Sequence, residues 1–416
     1  MNRPVIAIIT LAALSAVASG EEEFFDELDQ TLSVSTSDGA FRARLSGTLD
    51  LEGYHFSQPA PALIDADGST LFNPRLSLFL DAQLGSHFYL FAQARVDRGF
   101  DPESEELEGR LDEYALRFTP WLDGRFNVQI GKFATVVGNW VQRHGSWDNP
   151  FVSAPLPYEN LTGLWDAVAV NSATTLLAWA HVRPQLVNRV PADDKYLRLP
   201  IIWGPSYTSG LAVSGELGRT DYAMELKGTA LSSRPATWDT PDFEWRHPTI
   251  SGRVGYRPNE MWNFGVSASD GPYLRPSAEP TLRAGERLGD YRETVFAQDA
   301  GFAWHHLQAW AEIYEARFTI PRVGNADTTA YYVETKYKFT PQFFGAVRWN
   351  QQWFGTIPLP TGGSAHWGGK IWRIDVAPGY RFTPQTELKF QYSLQHDELA
   401  VRNLAHLFAL QFVVRF

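Results

Sequence analysis

Charged side chains recur at every second position through much of this chain, and that spacing decides which chemistry to look for. Arg42 and Arg44 alternate with Phe41, Ala43 and Leu45. Arg75, Arg95, Arg117, Lys132, Lys227, Arg253, Arg348, Arg373 and Lys389 stand in comparable rows, as do Asp50, Glu52, Asp81, Asp97, Glu225, Glu312, Asp375 and Glu387. Successive side chains of a strand point to opposite faces, so each row gathers its charges on one face and its apolar residues on the other. A wet face carrying both signs makes no bonds. It sets a field, and width and lining charge then decide what passes. The plainer expectation is that most of these charges pair with one another. The sharper one is an arginine row facing a carboxylate row across a narrow passage.

Bond-making chemistry lacks its residues. The 416-residue chain has no cysteine, which excludes thiol catalysis, disulfide scaffolds and zinc fingers. It contains no G-x-S-x-G and no H-E-x-x-H. His305 and His306 are adjacent, and on a strand adjacent side chains cannot chelate together. The expectation is no catalytic centre, no metal and no cofactor. A net charge of -11 offers no basic face for nucleic acid.

The elements that would position these charges read as membrane strands. Leu76, Leu78, Leu80, Ala82 and Leu84 form one apolar row, and Phe88, Leu90, Ala92, Ala94 and Val96 another. Phe126, Val128 and Ile130 follow, then the row from Tyr331 to Phe339, Trp372 to Val376, and Leu388 to Leu394. The final residues LFALQFVVRF place Phe408, Leu410, Phe412, Val414 and Phe416 on one face. Each row approaches the ten or so residues of a tilted membrane strand.

Punctuation repeats as well. LRFTPW (116–121), YKFTPQ (337–342) and YRFTPQ (380–385) place Thr-Pro at strand ends, where a residue without an N–H belongs. Longer loops rich in Gly, Pro, Asp and Trp lie at 57–72, 98–110, 232–247, 271–290 and 355–369. Short turns alternating with long loops, and aromatics at strand ends, favour an outer-membrane barrel over a soluble propeller or sandwich. The expected fold is all-β, a transmembrane antiparallel barrel spanning 41–416. It has 16 strands, or 18 if DAVAV (166–170) and TTLLAWA (174–180) also cross; their shortness and lack of charged alternation favour 16.

MNRPVIAIITLAALSAVASG carries Arg3, an apolar run and Ala16-Val17-Ala18, the pattern of a signal peptide ending near residue 18. Residues 19–40 read as an acidic periplasmic lead-in, solvated and mobile or helical. They are too few for an N-terminal plug domain.

Residues 126–138, FNVQIGKFATVVG, resemble the strand-plus-GKF stretch of the phosphate-selective porin family and its relatives. Gly131, Lys132, Phe133, Thr135 and Gly138 carry the match, while Val136 stands where the family often has proline. The resemblance supports a porin more than it supports phosphate. It implies a homotrimer, a terminal aromatic read by the outer-membrane assembly machinery, and an excursion within 134–207 that folds inward and narrows the barrel. By that resemblance 139–166 is the constriction candidate. Its own composition agrees: Trp140, Trp147, Phe151, Tyr158 and Trp165 need burial, and three prolines stiffen it.

The expected selectivity zone is therefore Lys132, Arg143, His144, Trp147 and Asp148, together with Arg42, Arg44, Arg75, Arg95, Arg117, Arg348 and Arg373. The expected function is passive diffusion of small hydrophilic solutes or ions across an outer membrane whose lipid the barrel contacts. Two alternatives stand beside it. One is a carbohydrate channel using Trp140, Trp147, Trp165 and Trp203 as a stacking track. The other is a non-conducting structural or adhesive barrel.

Overall fold

The computed structural model describes residues 21–57, 68–97, 107–181, 198–235, 247–400 and 403–416. The expected signal peptide and the middles of the loops at 57–72, 98–110 and 232–247 lie outside the described residues. Sixteen antiparallel strands form the barrel: β1 (Phe41–Phe56), β2 (Thr70–Leu84), β3 (Phe88–Asp97), β4 (Glu108–Phe118), β5 (Asn127–Phe133), β6 (Thr208–Leu217), β7 (Thr220–Lys227) and β8 (Thr249–Tyr256) come first. They are followed by β9 (Trp262–Pro272), β10 (Arg292–Trp304), β11 (Leu307–Ile320), β12 (Gly324–Lys338), β13 (Phe343–Phe354), β14 (Ile371–Arg381), β15 (Thr386–Asp397) and β16 (Leu404–Arg415).

Each strand pairs with its sequence neighbour, and β16 returns to β1 with Leu407 opposite Phe56 and Arg415 opposite Thr48. The sheet thus has no free edge, which is what a strand structure needs in hydrocarbon. TTLLAWA does not cross; it lies in the helix Ala173–His181. The count is 16.

Burial divides the two faces as the alternation demands. Leu80, Leu90, Leu116, Ile130, Phe390, Phe408 and Leu410 face outward and are exposed, whereas Glu312, Glu334, Arg348, Asp375, Lys389 and Gln391 face inward and are buried. Outward apolar residues meet across strands, as Phe390 opposite Leu410 and Tyr392 opposite Phe408. Such pairs stabilise a sheet by roughly 0.2–1 kcal/mol each.

The repeated Thr-Pro motifs build one turn twice. Between β12 and β13 the Thr340 hydroxyl accepts from the backbone N–H of Gln342 (3.3 Å) and Phe343 (2.9 Å). Between β14 and β15 Thr383 accepts from Gln385 (3.2 Å) and Thr386 (3.1 Å). These turns share one end of the barrel with the start of β1, the end of β16 and the turn at His305–His306. His305 there is left-handed (φ 49°), so the two histidines sit in a turn and not on a strand. The opposite end carries the long loops.

The lead-in forms the helix Glu21–Thr31 and is not simply solvated. Phe25 is buried against Leu49 and Val414 on the outer face of the β16–β1 seam. Arg44 pairs with Asp29 at 2.8 Å, and Ser33–Ser35 pairs with Arg42–Arg44 to extend the sheet beside the last strand.

Candidate channel constriction

The stretch that resembled GKF is where the chain leaves the wall. Gly131 has φ +144°, and a Cβ there would stand 2.1 Å from the Tyr114 carbonyl, so β5 and β4 approach too closely for any side chain. Thr135 donates its hydroxyl to Glu225 at 2.6 Å, and the Val136 N–H donates to the same carboxylate. Gly138 has φ +79°, and a Cβ there would meet the hydroxyls of Tyr314 (2.1 Å) and Tyr158 (2.4 Å). Both glycines serve the passage from strand to excursion.

From there the chain is fastened to the inward face of β11–β15. The Glu312 carboxylate accepts from the backbone N–H groups of Asn139 and Trp140 (2.7 Å) and from the Tyr158 hydroxyl (2.7 Å). Arg143 pairs with Glu334, donates to the Tyr332 hydroxyl at 3.0 Å and lies over the Trp310 ring at 4.3 Å. Lys389 donates to the carbonyls of Ser146 and Asn149 (2.9 Å), and Gln391 Oε1 accepts from Val152 (2.6 Å) and Ser153 (3.0 Å). Arg348 reaches the Ser153 carbonyl at 3.0 Å while holding Asp375 at 2.8 Å. Arg373 bridges Glu159 and Asp375. A charge taken out of water costs several kcal/mol unless it is paired and hydrogen-bonded, so the excursion that buries this wall must also supply its partners, as these contacts do.

An apolar core locks the rest. Trp140 packs on Tyr158 with ring centroids 4.5 Å apart, and Val137, Leu164, Leu176 and Ile202 join Tyr314, Phe318 and Tyr332 in one cluster.

The opposite wall, β1–β5, differs in kind. Glu52 and Asp50 both pair with Arg75 (2.6 and 2.9 Å). Asp97 pairs with Arg110 (2.7 Å), Arg110 with Asp112 (2.9 Å), and Asp112 with Arg95 (3.0 Å). The charges form an alternating chain along the wall. The side chains of Arg75 and Arg95 keep 19% and 12% of their surface exposed, whereas Arg348, Glu334 and Asp375 keep none. Water therefore reaches Arg75 and Arg95 but not the ion pairs of Arg348 with Glu334 and Asp375.

Across from this chain the excursion presents His144. Its Nδ1 lies 2.5 Å from the Val141 carbonyl, and its Nε2 lies 2.6 Å from the Tyr207 hydroxyl. The contacts assign a neutral ring with the proton on Nδ1 and Nε2 accepting from Tyr207. Burial pushes its pKa down to about 4, and the Arg95 and Arg75 charges act in the same direction.

The expected site residues fall into three groups. Arg75, Arg95, Arg117, His144, Trp147 and Asp148 retain contact with water, as do Arg42 and Arg44 at the short-turn end. Trp147 lies between two guanidinium groups, Arg415 at 4.2 Å and Arg381 at 4.5 Å. Arg143 is only partly covered and is spent on Glu334.

Arg348 and Arg373 face inward but are 0% and 2% exposed, which corrects their reading as lining residues, while Lys132, 4% exposed, still borders an open space at the long-loop end. Arg348 and Arg373 lie behind the excursion and bind its backbone. Lys132 donates to the Leu111 carbonyl at 2.8 Å. Trp140 and Trp203 are likewise buried, and Trp165 stacks on Trp179, so the four tryptophans make no open track.

Arg110, Asp112 and Glu113 were missed by the alternation rule. The register between β3 and β4 shifts at Gln93/Ala94, a bulge that turns both Asp112 and Glu113 away from the outer face. A signal existed: Leu111 and Leu116 are both outward yet five residues apart, an odd spacing that alternation forbids.

Three open spaces are lined by described residues. One of about 360 Å3 at the long-loop end is lined by Lys132, Tyr207, Thr208, Arg234, His247 and Arg275, with no acid among its described lining residues. A second of about 350 Å3 runs along β1–β4 past Asp81, Tyr89, Gln93, Glu113 and Arg117. The third, about 710 Å3, opens at the short-turn end under β6–β11.

No protein-family model and no curated protein matches the chain. Among solved structures it is similar to the outer membrane channel DcaP of Acinetobacter baumannii, at TM-score 0.55 and 10% identity over 92% of this chain and 99% of that one. An anion-selective porin from Comamonas acidovorans matches at TM-score 0.54 and 11% identity, over 90% of this chain and 100% of that one. The trimer form of OmpT, an outer membrane protein of Vibrio cholerae, matches at TM-score 0.53 and 9% identity, over 91% and 100%. Such identities speak to fold alone: the chain has the closed 16-stranded fold of bacterial outer-membrane porins.

Proposed function

We propose that this protein is an outer-membrane porin through which small hydrophilic solutes or ions diffuse passively. The observation that carries this reading is the asymmetry of the interior. The excursion seals Arg348, Glu334 and Asp375 from water, while Arg75 and Arg95 on the facing wall keep contact with it. A barrel built to be solid would have no reason to leave these two guanidinium groups in contact with water. The work is done by width and field, with no bond made or broken.

The wall charges nearly cancel. Arg75, Arg95, Arg110 and Lys132 face Asp50, Glu52, Asp97, Asp112 and Glu113, four cations against five acids. Arg234 and Arg275 at the long-loop mouth, with Asp166 paired to Arg275 at 2.5 Å, bring the sum to six against six. Weak charge selectivity follows, with anions favoured only where they enter. Export by the N-terminal segment, an outward-facing long-loop end and assembly as a homotrimer complete the proposal. The trimer draws support from the trimeric form of the Vibrio cholerae neighbour.

A second reading rests on the excursion's apolar core, which would suit a plugged structural barrel. Planar-bilayer recording of the purified protein separates the two. Discrete, stable conductance steps are expected, with a reversal potential far below the ~59 mV that ideal selectivity gives in a tenfold salt gradient. A folded barrel that never conducts would overturn the porin.

A further inference from the structure

The 710 Å3 space at the short-turn end is a chamber with its own chemistry, separate from the charged chain on β1–β4. We propose that it is a binding site for a neutral polyhydroxylated solute, a mono- or disaccharide, held by Asn263, Gln308 and Trp310. The inference rests on the porin reading only for how such a solute arrives.

Its wall is thinned by inward glycines. A Cβ at Gly265 would lie 2.2 Å from Asp299 Oδ2, at Gly255 2.3 Å from Asp221 Oδ1, and at Gly301 2.5 Å from Asn263 Oδ1. Polar side chains of the neighbouring strands lie flat over these glycines and leave the space beyond them free.

The chamber is lined by Glu216, Asp221 and Glu260 and by Arg219 and Arg257, and the arginine behind it ties up one of the acids. Arg253 donates to both oxygens of Asp299 (3.0 and 2.8 Å) and to Asp221 at 2.8 Å. Arg219 donates to the Pro258 carbonyl at 2.7 Å. Three acids against two arginines leave the lining close to balance, so it attracts neither sign strongly, yet it offers carboxylate acceptors and guanidinium donors, both of which a hydroxyl can satisfy.

Three neutral side chains meet beside this lining. Asn263 and Trp310 both stand opposite Gly301 in the sheet, one on each side. Asn263 Oδ1 has no hydrogen-bond partner among the described residues. Gln308 enters from the same strand as Trp310. Arg143 covers one face of the Trp310 ring and so fixes its position, leaving the rest of the indole as the chamber's apolar surface. An amide pair with a fixed indole suits a pyranose, which has hydroxyls at its rim and C–H groups on its faces. The volume falls within the roughly 300–1,000 Å3 of small-molecule sites.

The test is maltose added to one side of a bilayer holding the full-length protein. Maltose at the short-turn side is expected to reduce the ion current saturably, and Asn263→Ala and Gln308→Ala each to raise the half-blocking concentration about tenfold. Both variants leave Arg143 and its partners untouched, and unchanged heat-modifiable migration on gels certifies their folding. Block that does not saturate, or that both variants leave as in the parent, overturns the inference. Should the protein not conduct, calorimetric titration of maltose into the detergent-solubilised barrel decides separately. A saturable heat lost in Asn263→Ala keeps the site while the porin reading falls, and no heat removes the site.

Discussion

Arg348 and Ser153 stand 195 residues apart, yet the Arg348 guanidinium donates to both the carbonyl (3.0 Å) and the hydroxyl (3.1 Å) of Ser153. The same side chain holds Asp375 at 2.8 Å and lies over the Phe151 ring at 4.2 Å. One cation on β13 therefore joins the excursion to the wall and neutralises the carboxylate behind it.

Arg348→Met should remove the joint and leave Asp375 buried with Arg373 as its remaining ion-pair partner. Breaking a buried pair from one side costs about 3–5 kcal/mol, so a lower unfolding temperature and a noisier open current are expected together. Thermal unfolding and single-channel recording check this. An equally stable, equally quiet variant would show that the pair does not hold the excursion.

Deleting 139–160 should raise conductance sharply, because this segment occupies the interior beside β11–β15. The deletion also uncovers Glu312, Glu334, Lys389 and Gln391, but in a widened lumen these regain water and their burial cost disappears. Conductance of the deleted barrel is the measurement, and a value like the parent's would contradict the constriction.

Charge selectivity should respond to residues in the alternating chain and not to those behind the excursion. Asp112→Asn removes an acid between Arg95 and Arg110 and should move the reversal potential toward anions. Arg95→Gln should move it toward cations by a similar amount. Arg373→Gln, behind Glu159 and the Ala154 carbonyl, should disturb stability while leaving selectivity nearly unchanged. Reversal potentials in one salt gradient compare all three.

These contrasts mark what alternation in a sequence does and does not carry. Period two told inside from outside for Arg75, Arg95, Arg348 and Arg373 alike, because a strand's two faces follow from backbone geometry. It could not tell that Arg75 meets water while Arg348 meets Ser153, since exposure depends on a segment nearly 200 residues away in the chain. The Gly-Lys-Phe stretch marked where the wall is left, and Gly131 and Gly138 have steric reasons to be there. Asp112 and Glu113 escaped because a bulge breaks the rule by which the others were found.

His144 gives a pH dependence with a definite sign. Its pKa is depressed to about 4 by burial, against about 6.5 for a free imidazole. Between those values the unfolded chain binds a proton that the folded one refuses, so stability rises with pH across that window and falls as pH drops from about 6.5 toward 4. The loss is on the order of 3 kcal/mol. The unfolding midpoint measured from pH 7 to pH 4 should fall less steeply in His144→Gln. Parallel curves would show that His144 takes up its proton without penalty.

The last residue is placed by a gap in the first strand. Gly47 and Phe416 exchange two backbone hydrogen bonds, at 2.9 and 3.0 Å, and close the barrel at its short-turn end. The Phe416 ring lies where a side chain on residue 47 would be: a Cβ there would stand 2.5 Å from the ring's Cζ and 2.9 Å from the Ser77 carbonyl. Gly47→Val should thus force the ring out and strain the seam by about 1–3 kcal/mol, the usual cost of overpacking. Phe416→Ala keeps both backbone bonds and loses only the ring, together with its packing near Phe25, Leu49 and Val414. Gel migration without heating reports the closed barrel, and the folded band should melt at a lower temperature in Gly47→Val than in Phe416→Ala. The order matters because it separates two roles for the terminal aromatic. If Gly47→Val melts like the parent while Phe416→Ala accumulates poorly in the membrane, the ring serves assembly and the seam is held by its backbone ladder alone.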